Sequence, residues 1–305
     1  MRVLALDTSN YTTSVAVFDG REGMNEGRLL QVRPGELGLR QSDALFQHVK
    51  RLPELFGRLE EQGAIQEICA VGASTRPRAV EGSYMPCFLA GASQGEALAR
   101  TLGVPFYEFS HQQGHLAAAA WSAGHLELLD APFLAWHLSG GTTELLLVEP
   151  EGKNVRCTRI GGTTDISAGQ LIDRTGQMLE LPFPSGKHLD ELSKSAVGQD
   201  LFKVKCPVKE FSLSGLQNKV EKYHTGNNAE TAAYALRCVA YAVRKATENA
   251  LKQHPGLEIV FSGGVASNSL LRQQLKDLKP VFCEPKYSTD NAMGVAILAH
   301  RLAEV

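Results

Sequence analysis

The sequence predicts an α/β fold built from two similar lobes. Three observations carry this. A strand–tight turn–strand unit near the N-terminus returns in the middle of the chain. Apolar strand segments alternate with helical patterns. Three turns rich in glycine or small hydroxyl residues each follow an apolar strand. The chain has 305 residues, 43% of them hydrophobic, enough for one large domain or two ordinary ones.

Val3 to Ala5, then Asp7-Thr8-Ser9-Asn10, then Ser14 to Phe18 reads as strand, polar turn and strand, with Asp19-Gly20 as the next hairpin turn. Pro132 to Leu138, then Ser139-Gly140-Gly141-Thr142-Thr143, then Glu144 to Val148 repeats that grammar. Between the copies, Ser42 to Leu59 carries Leu45, Phe46, Val49, Leu52, Leu55 and Phe56 at helical spacing. Ile65 to Gly72 and Val104 to Phe109 read as strands; Phe88 to Leu102 and His111 to Ala123 read as helices. Further on, helices are expected over Ala168 to Leu179, Asn228 to Gln253, Asn268 to Leu278 and Asn291 to Ala303, with a strand over Leu257 to Phe261. Arg21 to Gly38 is polar and glycine-rich and reads as a surface loop. Gly198 to Ser214 reads as irregular, mobile chain. The lobes are expected at 1–128, with a C-terminal helix over 291–305 packing back on it, and 129–290.

Composition narrows the function classes. No apolar run reaches membrane-spanning length. The first residues enter a strand at once, which leaves no room for a secretory signal, so a cytoplasmic protein is expected. Six cysteines, at 69, 87, 157, 206, 238 and 283, include no CxxC pair, which argues against a zinc knuckle or a disulfide framework. The net charge of −2 does not advertise nucleic-acid binding, and Lys203, Lys205, Lys209, Lys219 and Lys222 read as solvated surface.

The chemistry-bearing stretches are few. His111-Gln112-Gln113-Gly114-His115 puts two imidazoles four apart at a helix start, a spacing that suits one metal ion. Gln112 stands where a zinc protease has its Glu general base, so the protease reading fails on chemistry. Asp7-Thr8-Ser9, Leu138 to Thr142 and Ser262 to Asn268 read as loops for a phosphate-bearing ligand, because glycine lets backbone N–H groups come close and hydroxyls add donors. The last opens a helix, whose first amides favour an anion. Asp173 on a helix reads either as a solvated carboxylate or, with Gly186 and Asp190 after the rigid Pro182-Phe183-Pro184-Ser185 turn, as part of a ribose site.

Taken in order, these stretches resemble the TsaD-type family, which makes threonylcarbamoyladenosine in tRNA. The resemblance runs through Leu4 to Ser9, His111 and His115, Leu138-Ser139-Gly140-Gly141, Ala168-Gly169 with Asp173, Leu181 to Gly186, Phe211 to Leu216, Gly263 to Asn268 and Thr289-Asp290-Asn291-Ala292. It implies the actin-like, sugar-kinase-like ATPase fold, with duplicated RNase-H-like lobes around a nucleotide cleft. It implies one divalent metal ion, iron or zinc, on His111, His115 and Asp290. It also implies phosphate and carbamoyl contacts from Leu138, Ser139, Gly140 and Gly141, and nucleoside contacts from Asp173, Gly186, Asp190 and Asn268. The implied reaction moves the threonylcarbamoyl group from threonylcarbamoyl-adenylate, an adenine-nucleotide ligand, to the exocyclic nitrogen of the tRNA adenosine beside the anticodon. Implied partners are tRNA, a smaller homologous subunit and an ATPase; no membrane is implied.

The chain departs from the family's usual residues at several positions. After Thr8-Ser9, Asn10-Tyr11-Thr12 replaces a cysteine followed by two acidic residues. Gln113 replaces Glu, Thr142 replaces His, Ile166 replaces Asp, and Gln170 replaces Glu. Arg76 to Gly91 replaces a shorter Gly-Pro-Gly turn. These departures leave two alternatives beside the transferase: a divergent paralogue acting on another acceptor, or a non-enzymatic nucleotide-binding partner subunit.

Overall fold

The structure, a computed structural model, describes residues 1–9, 11–32 and 38–304. Asn10, part of the expected 21–38 loop and Val305 of the expected C-terminal helix lie outside the described residues. The chain divides into two compact units. The first comprises Met1–Ala131, Glu149–Cys157 and Thr289–Val305, and the second Pro132–Val148 and Thr158–Ser288. Asp290 therefore belongs to the first unit, with the C-terminal helix. No helix among the described residues is long and apolar enough to cross a membrane.

The first unit opens with β1 (Arg2–Asp7), β2 (Thr12–Phe18) and β3 (Gly23–Leu29), followed by α1 (Gln41–Glu61), β4 (Ile68–Arg76), α2 (Phe88–Leu102), β5 (Phe106–Ser110) and α3 (His111–Ser122). Its sheet runs β3-β2-β1-β4-β5. β1 pairs antiparallel with β2 and parallel with β4, and β4 pairs parallel with β5. β1 is apolar on both faces because helices cover both: Leu4 and Leu6 lie in a core with Leu52, Leu55, Leu59 and Ala99, all almost fully buried.

β6 (Phe133–Leu138), β7 (Thr143–Glu151) and β8 (Asn154–Thr163) come next. They are followed by α4 (Ala168–Met178), α5 (Gly186–Ser193), β9 (Glu210–Phe211), α6 (Ser214–Tyr223) and α7 (Asn228–Gln253). β10 (Ile259–Ser262), α8 (Ser269–Leu275), β11 (Val281–Phe282) and α9 (Met293–Ala303) close the chain. The second sheet runs β11-β10-β6-β7-β8-β9. Setting the short β9 aside, each sheet has the same grammar: a three-strand meander whose first strand continues into two parallel strands. β6 pairs antiparallel with β7 and parallel with β10, as β1 does with β2 and β4. The expected duplication is thus a duplication of topology. The second core is built on Trp136, Phe211, Phe261 and the inner face of α7.

Two expectations need correction. The polar stretch expected as a loop over Arg21–Gly38 contains β3, paired antiparallel with β2 from Thr12↔Leu29 to Phe18↔Gly23. Composition misled because an edge strand keeps its polar side chains in water; what makes this stretch a strand is its backbone ladder with β2, the preceding arm of the same hairpin, and side-chain polarity does not report that pairing. The stretch Gly198–Ser214 is irregular except for β9, yet it is pinned. Arg237 donates from Nη1 to Gly198 O (2.7 Å) and from Nε to Asp200 O (3.0 Å), and Glu230 Oε1 accepts from Val197 N and Gly198 N.

Candidate metal centre and nucleotide loops

His111 is the first residue of α3, directly after β5. Ser110 caps the helix: its Oγ accepts from Gln113 N (3.2 Å), and Gln113 Oε1 accepts from Ser110 N (2.8 Å). This reciprocal cap fixes the first turn and puts the His111 and His115 rings on one face, with centroids 4.3 Å apart. Gly114, between them, is where α9 crosses. A Cβ on Gly294 would collide with the Gly114 carbonyl, and one on Gly114 would lie 3.1 Å from Val295 Cγ2. That backbone-to-backbone approach brings Asp290, just ahead of α9, beside the two histidines.

Asp290 Oδ1 lies 3.4 Å from His111 Nε2 and 3.5 Å from His115 Nε2. One ligand atom from each of the three residues lies within 4.8 Å of the others. The donor set fits a metal. Two donors each about 2.1 Å from one ion at a tetrahedral angle stand about 3.4 Å apart, which is the spacing observed. Two imidazoles and one carboxylate suit iron or zinc, and they leave coordination positions for a substrate oxygen.

Behind His111, Asp7 at the end of β1 completes the centre. His111 Nδ1 donates to Asp7 Oδ2 at 2.8 Å, and Asp7 Oδ1 accepts from Ser9 N at 2.9 Å. Burial favours neutral His111, but the charges and hydrogen bonds of Asp7 and Asp290 outweigh it and raise its pKa to about 10. Burial and the neighbouring His111 push His115 the other way. Asp290 is held well below the usual carboxylate range: burial opposes ionisation, and hydrogen bonds to the two histidines overcome it.

The first candidate phosphate loop is therefore a support for the metal centre. Thr8 Oγ1 donates to Cys87 O (3.0 Å) and accepts from Gly91 N (3.0 Å), so its hydroxyl ties β1 to the start of α2. Sequence reasoning missed the role of Asp7. Its one signal is a carboxylate at the C-terminal end of a strand that is otherwise apolar.

The other two loops meet in the second unit. Leu138 is buried, Ser139 is half-buried, and Gly140 and Gly141 are exposed. Ser139 N donates to Thr142 O (2.8 Å), and Ser139 Oγ accepts from Thr142 N (3.1 Å), closing the turn. Nothing lies within 4 Å of where a Cβ would sit on Gly140 or Gly141. Two other glycines allow the loops to converge. A Cβ on Gly169 would strike Ser139 O and Gly140, and one on Gly263, whose φ is +89°, would strike Leu138.

Asp190 and Asn268 come together, 78 positions apart in sequence. Asp190 Oδ1 accepts from Asn268 Nδ2 (2.8 Å) and Ser269 Oγ (2.9 Å), while Asn268 Oδ1 caps α8 by accepting from Leu271 N (2.9 Å). Asp173 Oδ1 accepts from Ser185 N (2.8 Å), which holds the turn before Gly186. Burial raises the Asp173 pKa, and that hydrogen bond only partly offsets it. A Cβ on Gly186 would find Ile172 Cγ2 at 4.0 Å as its nearest neighbour.

The departures find structural roles. Gln170 repeats the part of Gln113: its Oε1 accepts from Ser167 N (3.0 Å) and its N–H donates to Ser167 Oγ (3.0 Å), capping α4. Gln113 also donates from Nε2 to Val155 O (2.7 Å), a bond a carboxylate could not make. Ile166 packs on the second core. Beside it, Asp165 accepts from Ser212 Oγ (2.5 Å), Leu213 N (2.8 Å) and Ser214 Oγ (2.6 Å), fixing the start of α6.

The family model of tRNA N6-adenosine threonylcarbamoyltransferase, TsaD, matches residues 37–297. Proteins of that description from two strains of Streptococcus suis are 31% identical over 324 aligned positions, covering 97% of this chain and 91% of theirs. Among solved structures, full-length HypF in its phosphate- and nucleotide-bound form superposes with a TM-score of 0.64 at 14% identity, covering 99% of this chain and 47% of HypF. Component A of the Acidaminococcus fermentans (R)-2-hydroxyglutaryl-CoA dehydratase superposes at 0.56 and 14% identity over the whole of both chains. These likenesses show the fold, the α/β fold of actin-like ATPases.

Proposed function

The chain belongs to the TsaD family of tRNA N6-adenosine threonylcarbamoyltransferases, and from that premise we propose that it transfers the threonylcarbamoyl group from threonylcarbamoyl-adenylate to the exocyclic N6 of the tRNA adenosine beside the anticodon, in a metal-dependent reaction in the cytoplasm. A new bond forms between N6 and the carbamoyl carbon, the carbon–oxygen bond to the phosphate breaks, and AMP and one proton are released. The observation that carries the metal requirement is the convergence of His111, His115 and Asp290 at ligand spacing, with Asp7 orienting His111.

The divalent ion, iron or zinc, would supply Lewis acidity and a template for the acyl-phosphate oxygens. The residues would divide the remaining work. His111, His115 and Asp290 hold the ion. Asp7 keeps the His111 Nδ1 protonated, so that Nε2 is the ligating atom. Leu138 and Ser139 anchor the turn that takes the phosphate and carbamoyl end, and Gly140 and Gly141 are its exposed part. Asp173, Gly186, Asp190 and Asn268 take the nucleoside, with Gly186 leaving room for a sugar. A smaller homologous subunit and an ATPase partner complete the working assembly in this reading.

The test is direct. Metal-loaded protein with threonylcarbamoyl-adenylate, tRNA and the partner proteins should yield threonylcarbamoyladenosine, and a chelator should abolish the product. His111→Ala and Asp290→Ala should each lower the bound metal. A well-folded, metal-loaded protein that leaves tRNA unmodified, in vitro and in a strain lacking the modification enzyme, overturns the proposal.

A further inference from the structure

At the far end of α8 from Asn268, the chain forms an open concavity lined by Arg272, Gln273, Lys276, Lys279, Pro280 and Phe282. Three of these six residues are cations. The only carboxylate between Ser269 and Cys283 is Asp277. It is committed elsewhere: Arg244 of α7 grips it with two hydrogen bonds, Nη1 to Oδ1 and Nη2 to Oδ2, each 2.6 Å. Among the described residues, no carboxylate pairs with Arg272, Lys276 or Lys279 within 4.0 Å.

Arg272 is rigid. Its Nε donates to Ala266 O (2.9 Å) and its Nη2 to Cys283 O (2.7 Å), and its guanidinium lies 4.7 Å from the Phe282 ring centroid. A guanidinium fixed by two carbonyls against an aromatic ring keeps its charge and offers a flat face for stacking. Lys279, held at a φ of +49°, ends the 3₁₀ turn after α8, and Pro280 stiffens the next step. The two lysines are exposed. A positive hollow with a stacked arginine–aromatic floor suits a polyanion carrying flat groups, and RNA has both features.

We propose that this concavity docks the RNA acceptor, with Lys276 and Lys279 on backbone phosphates and Arg272, backed by Phe282, against a base or a third phosphate. This deepens the proposed function and rests on its reading that the acceptor is tRNA. Position supports it. Asn268 caps the start of α8 and Lys276 its end, eight positions on, so Lys276 stands about 12 Å from Asn268 along the helix. Arg272 also bonds the carbonyl of Ala266 within the Gly263–Asn268 loop. RNA held here would lie about one helix length from the residues proposed for the nucleoside.

The experiment compares the full chain with Lys276→Glu/Lys279→Glu and with a charge-matched control, Lys50→Glu/Lys252→Glu. Binding of tRNA and of a single-stranded RNA is measured across a salt series. Loss of two phosphate contacts should weaken binding tenfold or more and lower the slope of log affinity against log salt by about 1.5, while the control and the bound metal stay unchanged. Equal affinity and slope in both double variants overturn the docking site and leave the transferase reading intact. RNA binding that depends on Lys276 and Lys279, in a protein that modifies no tRNA, upholds the docking site and sinks the transferase reading. Absence of RNA binding by the unaltered protein overturns the docking site.

Discussion

His111 Nδ1 donates a 2.8 Å hydrogen bond to Oδ2 of Asp7, a carboxylate buried at the end of β1 and separated from it by 104 positions. The bond turns a histidine pair into a directed metal centre, because it fixes both the tautomer and the tilt of the ring. Asp7→Asn keeps the size of the side chain and removes its charge. Metal affinity should fall about 10- to 100-fold while the fold persists. Competition titration with a chelating dye, beside circular dichroism, checks this; undiminished affinity would remove Asp7 from the centre.

Gln113 gives a prediction of opposite sense to a simple restoration of the family's usual residue. Gln113→Glu keeps the acceptor that caps Ser110 N but loses the donor to Val155 O and sets a buried carboxylate against a carbonyl. Stability should fall by about 1–3 kcal/mol, and transfer should not improve. Denaturant melts and the tRNA assay read the two parts; a rise in transfer with no loss of stability would give Gln113 a different role.

Asp190 has a structural duty that is independent of any ligand. Asp190→Ala frees Asn268 and Ser269 at the start of α8, and should cost about 1–2 kcal/mol without nucleotide. It should also reduce the thermal protection given by an adenine nucleotide. If protection by nucleotide is unchanged after the drop in stability, Asp190 serves the helix alone.

Asp165 supplies a pH dependence. Burial would raise its pKa, but hydrogen bonds from Ser212, Leu213 and Ser214 win and hold it well below its ordinary value of 3.8. A carboxylate with a lowered folded pKa stabilises the fold above its unfolded value. That contribution disappears as pH falls further toward the folded value. Asp165 is exposed, so solvent screening limits the contribution to about 1 kcal/mol. Asp165→Asn should be less stable than the unaltered protein at pH 7, and the gap should close as pH drops below about 4. A gap that stays constant with pH would assign the loss to shape rather than charge.

Much of the architecture was legible from sequence because hydrophobic period is a local property. α2 and α7 begin and end where their patterns do, and the two hairpin units were visible as strand, small-residue turn and strand. The histidine pair was also legible, since four residues on a helix bring two side chains to one face. Its departures from the family could be named but not interpreted: Gln113 and Gln170 are the reciprocal halves of two helix caps.

The sequence by itself determined the α/β class, the repeated unit, the helices that carry candidate ligands and the family resemblance. Only tertiary structure decided that β3 is an edge strand, that Asp7 serves His111, that Asp190 holds Asn268, and that Gly114 and Gly294 let α3 and α9 meet. The physical reason is range. Periodicity and turn chemistry act over a few residues, whereas the Asp190–Asn268 bond, the Asp7–His111 bond and the Gly114–Gly294 crossing join positions 78 or more residues apart, and packing alone brings them within a few ångströms; β3 follows β2 closely in sequence, but its place is set by the backbone ladder, which its polar side chains do not report.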